Sequence, residues 1–167
     1  MNAIASEGVR SVISAGTVYQ VEPWATFNHE ARALFGEHWR EVALNHAEVP
    51  LDIDYDRYAT MAASGKVHVV TARRAGKLIG YHVGFIDGHL HYKSTLHCVT
   101  DVYWIAPECR HGVTAIRLFQ ALEREVIKRG VRKIITGAKI HMGQERLFGF
   151  MGYTPADTLF VKIVGGA

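Results

Sequence analysis

The stretch from Cys98 to Val126 constrains the fold of this chain more than any other. It opens with a strand-like apolar run, CVTDVYWI, which breaks at Pro107 and passes through a basic turn that contains Gly112. A helical pattern follows, in which apolar residues recur at spacings of four, three and four: Ala115, Phe119, Leu122 and Val126. This order predicts a strand that leads through a tight turn into an amphipathic helix.

The turn between this strand and this helix has two interpretations. The amides of a first helical turn have no partner within the helix, and the helix dipole favours an anion beside them. A basic turn with a glycine therefore indicates a phosphate site. The alternative is a plain connector, because turns of this kind also occur without any ligand.

The rest of the chain supplies the other layers of one α+β domain. Its 167 residues are enough for a single domain with a substantial core. The patterns predict a mixed sheet flanked by helices, with a right-handed parallel crossover from Cys98 to Ile140. We expect an N-terminal extension over residues 1–16 and one domain over residues 17–167. The other predicted elements are a strand at Thr17–Val21, a helix at Trp24–Asn45, a second helix capped by an aspartate and ending near Ser64, a hairpin turning at Ala75-Gly76, a strand from Val131, a short helix over 142–152 and a last strand at Asp157–Val164.

Charge, cysteines and hydropathy exclude several classes of function. The formal net charge of +3 comes without a basic block, which argues against a nucleic-acid surface. The two cysteines match no disulfide or metal spacing, so we expect a reducing, cytoplasmic setting. No apolar run has the length of a membrane span. Four histidines could suggest a metal site: His82, His89, His91 and His97. No metal is predicted, because no cysteine or carboxylate completes a ligand set with them at a familiar spacing.

Three stretches carry a resemblance to a known family. They are GKLIGYHVGF, DVYWIAPECRHGVTAIRLFQALEREVIKRGVRKI and RLFGFMGY. Through them the chain, from Thr17 to Val164, resembles the GNAT family of acyl-CoA-dependent N-acetyltransferases. The segment from HLHY to DVYWIAPECR also resembles small acetyltransferases encoded by bacteriophages, which would act in a bacterial cytoplasm. The resemblance implies a mixed, mostly antiparallel central sheet flanked by helices, and acetyl-CoA as co-substrate.

The resemblance also implies where acetyl-CoA would lie. The backbone of Tyr103, Trp104 and Ile105 would pair with the pantetheine arm and polarise the thioester carbonyl. The turn would bind the pyrophosphate through Arg110, His111, Gly112, Val113, Thr114 and Ala115. Val113 stands where the family has a glycine, and Gly112 lies one place earlier. His141 and Phe148 of the closing segment are the remaining predicted cofactor contacts.

Catalysis in the family commonly uses an acidic residue on the strand before the turn. Asp101 occupies such a position, and strand alternation predicts that it shares a face with Tyr103 and Ile105. Apolar neighbours would raise its pKa towards that of a useful general base; a structural hydrogen bond is the alternative. The family often protonates the thiolate with a tyrosine, but Phe148 stands at that position. Tyr153 is the predicted acid, with Tyr103 or His141 as alternatives, or no acid at all.

The region between the first two helices borders the acceptor in this family. Here it holds carboxylates beside an aromatic ring, which suits a cationic amine: Asp52, Asp54, Tyr55 and Asp56. Helix capping by these aspartates is the alternative. The function predicted is transfer of an acetyl group to a primary amine, on a small molecule or a protein, by direct attack in a ternary complex. The alternatives are a degenerate domain that binds CoA or a partner without turnover, and a phage enzyme that modifies nucleic acid or protein. A homodimer is left open.

Overall fold

The computed structural model describes residues 11–165. Within them lie the strands β1 (Ser11–Ser14), β2 (Thr17–Val21), β3 (Val67–Arg74), β4 (Lys77–His89), β5 (Tyr92–Ile105) and β6 (Val131–Ile135). The α-helices are α1 (Trp24–Val42), α2 (Tyr55–Ala63), α3 (Thr114–Lys128) and α4 (Glu145–Phe150). Two short 3-10 turns lie at Pro107–Cys109 and Ile140–Met142.

The six strands form one sheet in which spatial order follows chain order. Every neighbouring pair is antiparallel except β5 and β6, which are parallel because α3 crosses between them. The predicted α+β domain with a mixed, mostly antiparallel sheet is therefore confirmed, as is the parallel crossover after Cys98.

Local signals in the sequence explain most of these boundaries. Asp54 caps α2, because its carboxylate accepts a hydrogen bond from the Arg57 amide at 2.8 Å. The hairpin between β3 and β4 turns at Ala75 and Gly76, both at positive φ, as a two-residue hairpin loop requires. Gly130, with φ of 82°, ends α3.

Two predicted boundaries differ from the structure. Residues Asp157–Val164 form no strand, although their apolar pattern predicts one. They lie exposed, with Phe160 at 91% of its full accessibility, because no described sheet edge or apolar surface receives them. At the other end, Ser11–Ser14 of the predicted extension pairs with β2 as the edge strand β1; residues 1–10 lie outside the described part.

The sheet is covered by a helix on each face. On one face α1 packs the ring of Phe27 edge-on against Tyr81 of β4, with centroids 5.0 Å apart. On the other face α3 buries an apolar stripe: Leu118, Phe119, Leu122 and Val126. Because β4 and β5 run between these two layers, side chains on opposite faces of β5 reach two separate environments.

The two halves of β5 differ in their pairing. The first half pairs with both β4 and β6, but β6 is in register only from Leu96 to Val99. From Thr100 to Ile105, β5 pairs with β4 alone, and no described strand lies on its other edge. The sheet therefore splays open between β5 and β6 at the end that leads into the turn.

The contrast between two phenylalanines tests this arrangement. Phe27→Ala should lower the free energy of unfolding by about 3–5 kcal/mol, because the ring is fully buried and its removal leaves a cavity. Phe160→Ala, the matched control, should change it by less than about 0.5 kcal/mol. Urea unfolding followed by circular dichroism measures both. A large loss in Phe160→Ala would show that residues 157–164 pack into a sheet after all.

Candidate active site

A β-bulge in β5 places Asp101. Val102 pairs with Val83 of β4 and Thr100 pairs with Gly84, so Asp101 is the extra residue between them. The bulge breaks the alternation of side chains, and the Asp101 carboxylate accepts a hydrogen bond from Tyr58 of α2. Tyr103 lies on the opposite face, against Phe119 of α3. The prediction that Asp101 and Tyr103 share a face is therefore wrong.

The contact between Tyr58 and Asp101 is held by stacking. The Trp24 ring lies parallel to the Tyr58 ring, with centroids 4.3 Å apart and planes 10° apart. Burial raises the pKa of Asp101, and the hydrogen bond from Tyr58 partly opposes this by favouring the carboxylate. Burial and the same carboxylate raise the pKa of Tyr58, so that its hydroxyl keeps its proton and remains the donor. A carboxylate with a raised pKa is suited to accept a proton near neutral pH.

Asp101 opens into a cavity of about 280 Å³ between α1, the segment before α2, and the sheet. Two predicted acceptor residues, Asp52 and Asp54, line the same cavity. The other two do not: Tyr55 packs its ring under the Arg32 guanidinium, 3.9 Å from the ring centre, and Asp56 lies in the first turn of α2. The structure thus brings three carboxylates together and separates Tyr55 and Asp56 from them.

Sequence reasoning missed the role of His38 in this cavity. Its imidazole is buried, and Nδ1 lies 2.7 Å from the hydroxyl of Tyr81. Burial lowers the pKa of His38 to about 4, so the ring is neutral at physiological pH. The signal was present in the helical periodicity, since His38 follows Leu34 and Phe35 at spacings of four and three on the buried face of α1.

On the other face of β5, the aromatic residues form a packed cluster. Tyr103 packs edge-on against Phe119 and Phe148, and its hydroxyl lies 2.6 Å from Oε1 of Gln144 and 3.0 Å from the carbonyl oxygen of Gly137. These bonds tie the unpaired end of β5 to the segment after β6. Phe148 is therefore a core residue where the family's tyrosine would stand.

Tyr153 and His141, the proposed alternatives to that tyrosine, have different surroundings. The Tyr153 hydroxyl is buried and has no hydrogen-bond partner within residues 11–165. Burial and the nearby carboxylate of Glu123 raise its pKa, which keeps it protonated. His141 is exposed in the 3-10 turn before α4. The Tyr103 hydroxyl, in contrast, already forms hydrogen bonds to Gln144 and Gly137.

The turn after β5 presents open backbone to solvent. Gly112 has φ of 77°, and an added Cβ there would meet no atom within 4 Å. No side chain caps the N-terminus of α3, so the amides from His111 to Ala115 receive no side-chain acceptor. Val113 is exposed, whereas Thr114 is buried against the sheet. This geometry leaves room for an anion at the start of α3.

Arg110, predicted to bind phosphate, forms an ion pair with Glu41 of α1. Its guanidinium forms a two-pronged ion pair with that carboxylate, with Nη2 at 2.6 Å from Oε2, while Nε donates to the Ile105 carbonyl at 2.8 Å. The Trp104 indole donates to the same carboxylate at 3.1 Å. Arg110 thus fastens the turn to the end of α1 and orients the start of α3.

The described residues contain neither a metal-binding cluster nor a membrane-spanning helix. Between residues 11 and 165, no group of three or more His, Cys, Asp and Glu side chains is arranged to hold a metal ion. Over the same range, no helix is both long and apolar enough to cross a membrane.

Solved structures provide the comparison, since no protein-family model and no curated protein sequence matches the chain. The aminoglycoside N-acetyltransferase AAC(6')-Iy, solved with CoA, superposes with a TM-score of 0.68 at 14% identity, over 96% of this chain and 99% of that one. A ribosomal-protein-alanine N-acetyltransferase from Brucella melitensis gives 0.66 at 16% identity, over 89% and 99%. An aminoglycoside acetyltransferase from an uncultured soil metagenomic sample, solved with sisomicin, gives 0.67 at 9% identity, over 91% and 97%.

These similarities define the class of fold. The neighbours are GNAT-type acetyltransferases, and their likeness extends over nearly the whole chain. This protein has the GNAT acyl-CoA N-acyltransferase fold, as the sequence resemblance implies.

Replacing Tyr58 tests the link to Asp101 without relying on any activity. Tyr58→Phe keeps the stacking on Trp24 but removes the donor that favours the carboxylate, so the pKa of Asp101 should rise further. Tyr55→Phe, one turn earlier and outside the cavity, is the control and should leave it unchanged. Carboxyl carbon NMR titration of both variants and the parent measures the pKa. An unchanged value in Tyr58→Phe would separate the two residues in solution.

Proposed function

We propose that the protein transfers the acetyl group of acetyl-CoA to a primary amine, by direct attack in a ternary complex. The observation that carries this proposal is the position of the Asp101 bulge. It lies between the cavity beside α1 and α2, and the open edge of β5 that leads to the turn. A proton acceptor at that junction can serve an amine in the cavity while the thioester lies along the strand.

The splay between β5 and β6 is suited to the pantetheine arm. Beyond Val99, β5 has a free edge, and an extended chain with amide groups can add to such an edge like a further strand. We assign this contact to the backbone of Tyr103, Trp104 and Ile105. One of their amides would donate to the thioester oxygen and stabilise the negative charge that develops there. The open amides from His111 to Ala115 would receive the pyrophosphate.

The chemistry follows from the protonation states of these groups. An amine arrives as an ammonium, and Asp101 accepts one of its protons, which frees the nitrogen lone pair. That lone pair attacks the thioester carbonyl carbon, a tetrahedral intermediate forms, and its collapse breaks the carbon–sulfur bond and releases the CoA thiolate. The nitrogen loses a second proton as the intermediate collapses, which balances the proton that the thiolate takes up, and the proton on Asp101 returns to solvent. Tyr153 is the predicted donor to the thiolate; burial raises its pKa, which keeps the hydroxyl protonated but makes it a weak acid. The products are an N-acetylamine and CoA.

A second candidate is a domain that binds acetyl-CoA without turnover. Phe148 favours it, because a buried phenylalanine in the aromatic cluster cannot donate a proton. The likeness to phage-encoded acetyltransferases and the cytoplasmic location stay predictions. The two candidates agree on cofactor binding and differ on the role of Asp101.

Cofactor binding is tested at the turn. Gly112→Val should weaken acetyl-CoA binding about 5- to 100-fold, the effect of losing about 1–3 kcal/mol of hydrogen bonding, because a β-branched residue disfavours φ of 77°. Gly76→Val is the matched control, since Gly76 has φ of 80° and also open space around it, but lies in the β3–β4 hairpin. Isothermal titration calorimetry measures both. Equal affinities in the two variants would remove the turn from the cofactor site.

Turnover is tested at Asp101. Asp101→Asn should reduce kcat/KM about 10²- to 10⁴-fold, the usual effect of losing a general base, and should leave acetyl-CoA affinity unchanged. Because the pKa of Asp101 is raised, parent activity should increase as pH rises through that pKa and the carboxylate forms. The deficit of the variant should shrink at high pH, where free amine is abundant.

The control for this experiment is Asp56→Asn, which removes a carboxylate outside the cavity. A thiol-release assay across pH with the best amine measures all three proteins. Activity of Asp101→Asn within about twofold of the parent would show that Asp101 is not the general base. Acetyl-CoA binding without turnover of any amine by the parent would favour the second candidate.

A further inference from the structure

The cavity beside Asp101 is walled mainly by apolar side chains. Aromatic rings come from Trp24, Phe35 and Trp39 of α1, and branched aliphatic groups from Val42, Val83 and Val102. Trp24 and Phe35 are buried core residues, so this wall is held by packing on both sides. An occupant of the cavity therefore exchanges water mostly for hydrocarbon and aromatic surface.

The polar groups of the cavity are few, and most are already engaged. His38 is neutral, and its Nδ1 is bonded to Tyr81. The Tyr58 hydroxyl donates a hydrogen bond to Asp101. One carboxylate oxygen of Asp54 already accepts a hydrogen bond from the Arg57 amide, which caps α2. What remains for an occupant is acceptor capacity on the carboxylates and the second ring nitrogen of His38, which matches a single ammonium group better than a set of hydroxyls.

The cavity has one chemically distinct end. Asp101 marks the junction with the free edge of β5, and Asp52 and Asp54 lie on the segment that precedes α2; all three residues are exposed. An ammonium group beside Asp101 lies near the aromatic rings, whose faces attract cations. The remainder of the occupant then fills the apolar part of the cavity.

We propose that the acceptor is a primary amine on a compact apolar body, such as an arylalkylamine or a short alkylamine. This inference rests on the proposed function and specifies its substrate class. The volume of about 280 Å³ is just below the range of about 300–1,000 Å³ that holds drug-sized ligands, so it suits one ring with a short chain. A multi-ring aminosugar exceeds this volume.

Aminosugars and polyamines also fail on chemistry. Each hydroxyl of a sugar that enters this cavity loses its bonds to water and finds an apolar wall, which costs free energy. Each additional ammonium group needs its own partner, and the other two carboxylates, Asp52 and Asp54, lie on the exposed segment before α2, where an ion pair contributes little free energy. We therefore do not expect this chain to acetylate aminoglycosides, although two of its structural neighbours are aminoglycoside acetyltransferases.

The test compares three amines on the full chain saturated with CoA. We use 2-phenylethylamine, spermidine and kanamycin, and measure binding by isothermal titration calorimetry and turnover by thiol release from acetyl-CoA. Binding of 2-phenylethylamine should be at least tenfold tighter than that of the other two. Equal or tighter binding of kanamycin or spermidine, or no binding of 2-phenylethylamine, overturns the proposal.

A pair of isosteric variants locates the binding. Val102→Thr places a hydroxyl in the cavity wall without changing its shape, and should weaken 2-phenylethylamine binding about three- to tenfold. Val99→Thr makes the same change on the same strand outside the cavity, and should leave binding unchanged. Equal effects of the two variants overturn the assignment to this cavity.

The two readouts separate this inference from the function on which it rests. Tight binding of 2-phenylethylamine without acetyl transfer supports the substrate class and contradicts the transferase. Transfer to kanamycin at a higher kcat/KM than to 2-phenylethylamine supports the transferase and contradicts the substrate class.

Discussion

Between Val83 and Gly84 of β4, the partner strand β5 contains one residue too many, and that residue is Asp101. Gly84, beside the bulge, has no room for a side chain, because an added Cβ would lie 2.9 Å from His82 Cε1 and 3.1 Å from Cys98 Sγ. The bulge turns the carboxylate towards α2 and leaves Tyr103 on the opposite face. Without the bulge, strand alternation would place the Asp101 carboxylate in the aromatic cluster under α3, away from the cavity beside α1.

The same strand separates two environments that the proposed reaction needs. On the α1 side, packed aromatic rings line the cavity, and burial raises the pKa of the Asp101 carboxyl. On the other side, β6 leaves β5 after Val99 and exposes a free edge that leads to the turn at Gly112. The ion pair of Arg110 with Glu41 connects the two sides, because it ties the turn before α3 to the end of α1. The proposed cofactor and acceptor sites are thus built on the same strand.

The parts of the fold that the sequence predicted are those controlled by nearby residues. The periodic apolar face of α3, the cap at Asp54 and the turn at Ala75-Gly76 each depend on contacts within a few residues. The prediction of a strand at 157–164 was wrong because strand formation depends on residues far from the segment. Its pattern is typical of a strand, but strands form only where a second strand and an apolar surface are available, and neither can be read from the segment itself.

The sequence by itself determined the α+β order, the strand–turn–helix unit, and the presence of an acid before the turn and of carboxylates before α2. Tertiary structure alone decided which of these side chains meet. Asp52 and Asp54 join Asp101 while Tyr55 and Asp56 do not, Arg110 binds Glu41, and the alternation in β5 fails at one residue. The physical reason is that each of these outcomes depends on partners 17 or more positions away, such as Tyr58 and Asp101, which are 43 positions apart, and Glu41 and Arg110, which are 69 apart. Local periodicity contains no information about such pairs.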